Sequence, residues 1–267
     1  MSSEAPLAIG VSGALGRMGQ VVAGLVRARP DMTLAALIDR PETAGQVLDG
    51  MALQSAGEAL PACTVVVDFS TPQASAALAR LAAGRGAPAL VLGATGFSPA
   101  DEAAVREASA RVAIVKSGNY SLGVNLLLGL VEQASRALAA ADYDIEVFEA
   151  HHRRKVDAPS GTALMLGEAA ARGRGSDLAA NAERGRDGLT GPRKAGAIGF
   201  SVMRGGGIVG EHSVVLAAED EIITLSHSAR DRSLFARGAL AAARWVAGKP
   251  PGLYDMMDVL GMGRAGS

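Results

Sequence analysis

Over the first 120 residues, short β-branched runs alternate with alanine-rich stretches of helical spacing. Leu7–Val11, Thr33–Ile38, Thr64–Phe69, Ala89–Leu92 and Val112–Lys116 read as strands. Between them, Gly16–Arg29 reads as a helix ended before Pro30-Asp31. Pro72 opens a second helix running to about Ala83, and Pro99–Ala110 forms a third. Strand–helix–strand alternation at this spacing predicts a parallel sheet with right-handed crossovers.

The rhythm changes after Asn119. Ser121–Ala140 reads as one long helix that presents Leu122, Asn125, Leu126, Gly129, Leu130 and Gln133 on one face. Asp144–Ala150 is a strand, His151–Asp157 a polar cluster, and Ser160 to about Arg172 a helix. Gly173–Gly196 is rich in glycine and charge without periodicity, which predicts a long mobile loop. Ala197–Arg204, His212–Ala218 and Glu221–Ser228 then follow as strands without intervening helices, an arrangement that suggests antiparallel pairing. Ser233–Ala247 is a helix, and Gly252–Leu260 a short capped tail. The fold class is therefore α/β. A Rossmann-type doubly wound parallel sheet comes first, then a second α+β domain with a mixed sheet, the boundary falling near residue 120.

Composition narrows the function classes. Twenty-six basic residues balance 27 acidic ones, so no bulk field favours nucleic acid or an anionic membrane surface. The single cysteine, Cys63, excludes an intrachain disulfide framework and a cysteine-rich zinc module, and suggests a reducing compartment. The N-terminal residues lack a basic region followed by a long apolar one, and no apolar run approaches a membrane span, so a cytoplasmic protein is expected. Aromatic residues are 3% whereas glycines number 34, which points to backbone-lined sites rather than stacking platforms.

The glycines concentrate first in Gly10-Val-Ser-Gly-Ala-Leu-Gly-Arg-Met-Gly19, at a strand end that opens a helix. The spacing departs from strict G-x-G-x-x-G, but the physics is shared. Glycine admits positive φ and close backbone approach to a pyrophosphate, and the helix N-terminus supplies a positive dipole end. Asp39-Arg40 ends the second strand, where an acidic side chain meets the adenosine ribose and an adjacent Arg can pair with a 2′-phosphate. NADH and NADPH are thus both candidate cofactors. Gly93-Ala-Thr-Gly-Phe97 and Ser117-Gly-Asn-Tyr120 also follow strands; each can line the nicotinamide or simply connect strand to helix.

The second concentration of chemistry is Glu149-Ala-His-His-Arg-Arg-Lys-Val-Asp-Ala-Pro-Ser-Gly-Thr162. His151–Asp157 holds five formal or potential cations and one carboxylate, which on composition alone describes a solvated basic loop. It follows a strand, however, and precedes a helix start at which Ser160 is a good N-cap and Gly161 and Thr162 present amides. Cations beside a helix N-terminus suit a carboxylate or phosphate, and His and Lys within one turn can deliver a proton. Adjacent His151 and His152 without H-E-x-x-H spacing speak against zinc, and Ser160 lacks the G-x-S-x-G elbow of a hydrolase. His212 and His227 lie in strands and read as structural or supporting groups.

These stretches, with Val67-Asp-Phe-Ser-Thr-Pro72, Asn119-Tyr-Ser-Leu-Gly-Val-Asn125, Arg204, Val209-Gly-Glu-His212, Phe235-Ala-Arg-Gly238 and Gly252-Leu-Tyr-Asp-Met256, run in order from residue 13 to the tail. Together they resemble the 4-hydroxy-tetrahydrodipicolinate reductase (dihydrodipicolinate reductase) family of lysine biosynthesis. The resemblance implies that residues 1–119 with 241–267 bind the dinucleotide, and that residues 120–240 bind substrate and build a homotetramer. It implies that Gly13, Ala14, Leu15, Gly16, Arg17 and Met18 hold the pyrophosphate of NADH or NADPH, and Asp39 and Arg40 its adenosine ribose. Gly93, Ala94, Thr95, Ser117, Gly118, Asn119 and Tyr120 would line the nicotinamide end. His151 would be the proton donor and acceptor and Lys155 the proton donor, while His152, Gly161 and Thr162 would bind a small cyclic dicarboxylate. Asp39 stands where the family often has Glu, and Lys116-Ser-Gly where small apolar residues are common. Two other readings stay open on the residues: a regulator that binds NAD(P)H without chemistry, and a different Rossmann oxidoreductase.

Overall fold

The computed structural model describes residues 5–85 and 88–263. In chain order the elements are β1 (Leu7–Ser12), α1 (Arg17–Arg27), β2 (Met32–Ile38), β3 (Val47–Leu48), β4 (Met51–Gln54), α2 (Ala56–Ala59), β5 (Val65–Asp68), α3 (Pro72–Arg85), β6 (Ala89–Leu92), α4 (Pro99–Ser109) and β7 (Ala113–Lys116). There follow α5 (Leu122–Ala137), β8 (Asp144–His151), α6 (Gly161–Gly173), α7 (Leu178–Asn181), β9 (Ala182–Glu183), β10 (Ile198–Arg204), β11 (Gly210–Ala217) and β12 (Ile222–Ala229). The last are α8 (Ser233–Val246), β13 (Gly252–Tyr254) and α9 (Met256–Val259). The chain divides into two compact units, one holding everything up to Leu122 and again from Ser233, the other Gly123–Arg232. Among the described residues no helix is long and apolar enough to cross a membrane.

The first unit carries an eight-stranded sheet in the order β13-β7-β6-β5-β1-β2-β4-β3. Every pairing is parallel except β3 with β4. Both faces of its central strands are covered, which explains why those strands are apolar runs. Val65, Val67, Val91 and Val115 face α1 and α8 in one core; Val66, Leu90, Leu92 and Ile114 face α3 and α4 in another. The chain winds outward in both directions from β1, so the turns after β1 and β5 lie side by side where the strand order reverses. The β3–β4 hairpin and β13 were too short to leave a periodic signal. The expected division at 240/241 would cut α8, but Ala236, Ala239, Leu240, Ala243 and Val246 are all buried in the first unit's core, so α8 belongs to it whole.

The second unit is a five-stranded mixed sheet, ordered β12-β11-β8-β10-β9. One face packs on α5 and α6 through Val124, Leu128, Val131, Leu166, Val147, Phe200 and Val214. The three C-terminal strands are not all antiparallel neighbours, as their closeness in sequence suggested. β11 pairs antiparallel with β12 and β8, whereas β10 lies on the other side of β8 and runs parallel to it. Gly173–Gly196 is the expected loop only in part, its residues 184–196 being without helix or strand. It contains α7 and β9, and Arg193 pins its end to Asp144 (2.6 Å), Glu146 (3.0 Å) and the carbonyls of Ile145 and Ala197.

Candidate active site

In the first unit, Gly13 leaves β1 with φ +74°, and a Cβ there would stand 2.8 Å from the carbonyl oxygen of Phe69. Gly19 is constrained by space instead, since its Cβ would fall 2.1 Å from the Gly13 carbonyl oxygen. These two glycines let the β1 turn fold tightly against both the β5 turn and the start of α1. The turn consumes several of its own amides. Ala14 N–H donates to the Ile38 carbonyl (3.1 Å), Gly16 N–H to Gly13 (3.0 Å), and Leu15 N–H to Asp39 Oδ2 (2.8 Å). The first turn of α1, beginning with the Arg17 and Met18 amides, presents N–H groups without intrahelical partners to a phosphate. Gly16 caps that helix without a side chain and the turn contains no acidic residue.

Asp39 is the hinge of this region. Its second oxygen accepts the Arg40 amide at 2.9 Å, while the Arg40 guanidinium is exposed and only loosely paired, 3.7 Å from both Asp39 and Glu42. A cleft of about 710 Å³ opens over the turn, lined by Gly13, Leu15, Gly16, Asp39, Arg40 and, from the β5 turn, Phe69-Ser70-Thr71. Its glycine floor, exposed Arg and uncapped helix start fit a dinucleotide. Beneath it the Asp68 carboxyl is fully buried. Burial lifts it above the usual carboxylate range, although Ser12, Ser70 and Ser75 donate to it.

The β6 and β7 turns lie along the same carboxyl edge. Gly93 is packed by the Phe69 ring, which a Cβ would meet at 2.3 Å; Ala94 is buried and Thr95 exposed. Ser117 Oγ donates to the Asn119 carbonyl and Asn119 Oδ1 accepts the Ser121 amide, giving a rigid turn with Gly118 at its exposed tip. The Tyr120 ring is buried edge-on to Phe69, with its hydroxyl within 3.0 Å of the Leu92 and Val115 carbonyls. Burial raises the phenol well above its ordinary value. Tyr120 therefore ties β6 to β7 with its side chain, leaving only its backbone to face a ligand.

In the second unit, the cationic segment is held by β8. Glu149 occupies the buried face of that strand, in line with Ile145 and Val147, and is 0% exposed. Its Oε2 accepts from His151 Nδ1 (2.5 Å) and Arg204 Nη1 (2.8 Å); its Oε1 accepts from Arg204 Nη2 (2.8 Å) and the Ser160 amide (2.9 Å). Burial works against this carboxylate, but Arg204, His151 and Ser160 outweigh it and hold the group below its usual range. Ser160 N-caps α6, as its sequence context indicated, accepting the Ala163 amide and meeting His212 Nε2 at 3.2 Å. The His212 ring packs edge-on to His151, and burial pushes its pKa down to about 4, with His151 nearby adding to the effect.

His152 points differently, to Arg232 Nη2 at 3.1 Å; burial, Arg154 and Arg232 depress its pKa. Lys155 pairs with Asp157 at 2.9 Å, keeping the Asp157 carboxyl below its usual value. Gly161 and Thr162 form the first turn of α6, and beyond the adjoining chain a Cβ on Gly161 would meet no described atom within 4 Å. One cluster thus joins an imidazole with a fixed nitrogen, an ammonium, and a helix N-terminus open at Gly161.

Comparison with known families gives a direct match. The model described as "Dihydrodipicolinate reductase, N-terminus" matches residues 7–120, and that described as "Dihydrodipicolinate reductase, C-terminus" matches residues 123–260. The chain belongs to this family. It is 61% identical over 256 residues to a 4-hydroxy-tetrahydrodipicolinate reductase of Caulobacter vibrioides, covering 96% of this chain and 98% of the relative. It is 52% identical over 273 residues to the Rhizobium rhizogenes protein of the same name, covering 98% and 99%. Among solved structures, a dipicolinate-bound dihydrodipicolinate reductase from Paenisporosarcina sp. TG-14 has the same fold, with a TM-score of 0.78 at 20% identity over 95% of this chain and 99% of that one.

Within this family member, sequence reasoning assigned no role to two groups of residues. Phe69-Ser70-Thr71 lines the cleft because β5 neighbours β1, a fact of strand order. Glu149 and Arg204 lie beneath His151; the available sign was a carboxylate at an apolar position of a strand.

Proposed function

We propose that His151 and Lys155 handle the protons of the reductase reaction, and that the α6 N-terminus with His152 receives the substrate's carboxylates. The chain reduces 4-hydroxy-tetrahydrodipicolinate to tetrahydrodipicolinate with loss of water, using NADH or NADPH, in the diaminopimelate route of lysine biosynthesis. The observation that carries the residue assignment is the Glu149–His151 contact. It commits Nδ1 to the carboxylate and leaves Nε2 as the ring atom able to exchange a proton. Gly13–Met18, Asp39 and Arg40 would hold the cofactor, which when bound would supply a hydride to C4 of the ring left by loss of the 4-hydroxyl. Arg153, Arg154 and Lys155 offset the charge of the dicarboxylate, and Gly161 and Thr162 add the positive end of α6. To give up its proton, Lys155 exchanges Asp157 for the substrate. Ser117–Tyr120 and Gly93–Thr95 form the rim at the nicotinamide end.

The same reading includes a homotetramer and a cytoplasmic setting. Phe148, Met203 and Ile222 are exposed on the face of the second unit's sheet opposite α5 and α6, which supports assembly through that face. Cys63 is a free, buried thiol, in keeping with a reducing compartment. The deciding experiment follows NADH and NADPH absorbance when the product of dihydrodipicolinate synthase is supplied. Oxidation that requires this product is expected. Cofactor binding without turnover would indicate a dinucleotide-sensing regulator instead.

A further inference from the structure

We infer that Glu149 is a positioning residue that fixes the proton-bearing nitrogen of His151 and, through Ser160, holds the start of α6 in the same frame. The inference rests on the role proposed for His151. All four acceptor directions of the carboxylate are filled, two per oxygen, by His151, Arg204 twice and the Ser160 amide. Three of those four donors cannot become acceptors: a guanidinium has no lone pair to offer, and a backbone N–H only donates. The imidazole is the one adaptable partner. A carboxylate at this place therefore compels Nδ1–H and leaves Nε2 as the exchanging nitrogen. Arg204 keeps the carboxylate ionised while buried, and its Nη2 also reaches the Asp157 carbonyl at 2.6 Å, tying the end of the cationic segment to the same pair. One side chain thereby sets both the tautomer of the proton donor and the position of the helix end that receives the substrate's anion.

The substitution Glu149→Gln tests this sharply. The amide oxygen must face Arg204 Nη2 and the Ser160 amide, both obligate donors, so the amide NH2 turns toward His151 Nδ1. That nitrogen must then accept, and the proton moves to Nε2. Arg204 is left partly unpaired in this variant, which threatens folding. The double variant Glu149→Gln, Arg204→Met removes that charge but keeps the conflict at Ser160, so the same flip is expected.

The readouts are the imidazole 15N shifts of His151 in the neutral state, and steady-state kinetics. Wild type should show Nδ1–H. Both variants should show Nε2–H, with kcat lowered on the order of 100-fold and the KM for NAD(P)H unchanged, because the cofactor cleft lies wholly within the first unit. Variants that keep Nδ1–H, or that flip the tautomer yet turn over like wild type, overturn the inference and leave Glu149 as part of a structural ion pair. Failure of wild type itself to oxidise NAD(P)H would instead count against the proposed reaction, and the nitrogen shifts would still report on the tautomer.

Discussion

Lys155 and His151 lie on one short segment, but their surroundings differ. His151 is backed by a buried carboxylate, whereas Lys155 pairs with the exposed Asp157. The histidine is thus pre-oriented and the lysine is free to change partners. Lys155→Ala should lower kcat by about 100-fold or more, the usual worth of a positioned proton donor, with little change in thermal stability. Steady-state NAD(P)H oxidation together with a melting curve checks this; unchanged turnover removes Lys155 from the mechanism. Asp39 has a duty of another kind. A carboxylate expected to meet a ribose first serves the chain, by closing the β1 turn through Leu15. Asp39→Ala should accordingly raise the KM for both NADH and NADPH, since the turn that carries the Arg17 and Met18 amides loses its strut; an effect confined to one cofactor would refute that account.

Elements hold these residues in place by different means. The strand–helix units of the first unit were legible in the sequence because β-branched runs and alanine-rich helices have distinct periods, and because prolines mark the starts of α3 and α4. The N-cap of α6 was legible for the same local reason. Gly173–Gly196 was legible only in part: residues 184–196 are the expected irregular stretch, but its end is held by Arg193 reaching Asp144 and Glu146, 49 and 47 positions away in sequence. Local composition cannot announce such a clamp. Removing it with Arg193→Ala should release the segment, and limited proteolysis should then cut between Arg184 and Lys194 well before any wild-type site. Equal protection of the two proteins would mean that α7 and β9 suffice to hold it.

For the whole molecule, buried titratable groups make stability depend on pH. His212 has a pKa of about 4 in the folded chain against 6.5 when free, so the unfolded chain binds the extra proton between those values. Its contribution is present above pH 6.5 and lost as pH falls toward 4, by up to about 3 kcal/mol. Glu149, depressed in the folded state, adds to the loss below the ordinary carboxylate range. Asp68 acts oppositely, because its raised value makes the folded chain the one that binds the proton first. Urea unfolding at pH 7 and pH 4.5 should show the net decline, and His212→Gln should flatten it; a variant with the wild-type slope would exclude His212 as the source. Light scattering is expected to give a tetramer for wild type and a smaller species for Phe148→Glu combined with Ile222→Glu, whereas an unchanged mass would place the interface elsewhere.

The sequence by itself determined the doubly wound first half, the glycine turn that opens α1, and the histidine–lysine segment at a helix start. Each of these is written in neighbours along the chain: periodicity, capping and turn chemistry act over a few residues. Tertiary structure alone decided that β10 lies beside β8 rather than β11, that Phe69 roofs the turn of Gly13, and that Arg204 meets Glu149 across 55 residues. Those contacts depend on strand order, which is chosen by how all the apolar faces pack at once, and a pattern of hydrophobic and polar positions carries no record of that choice.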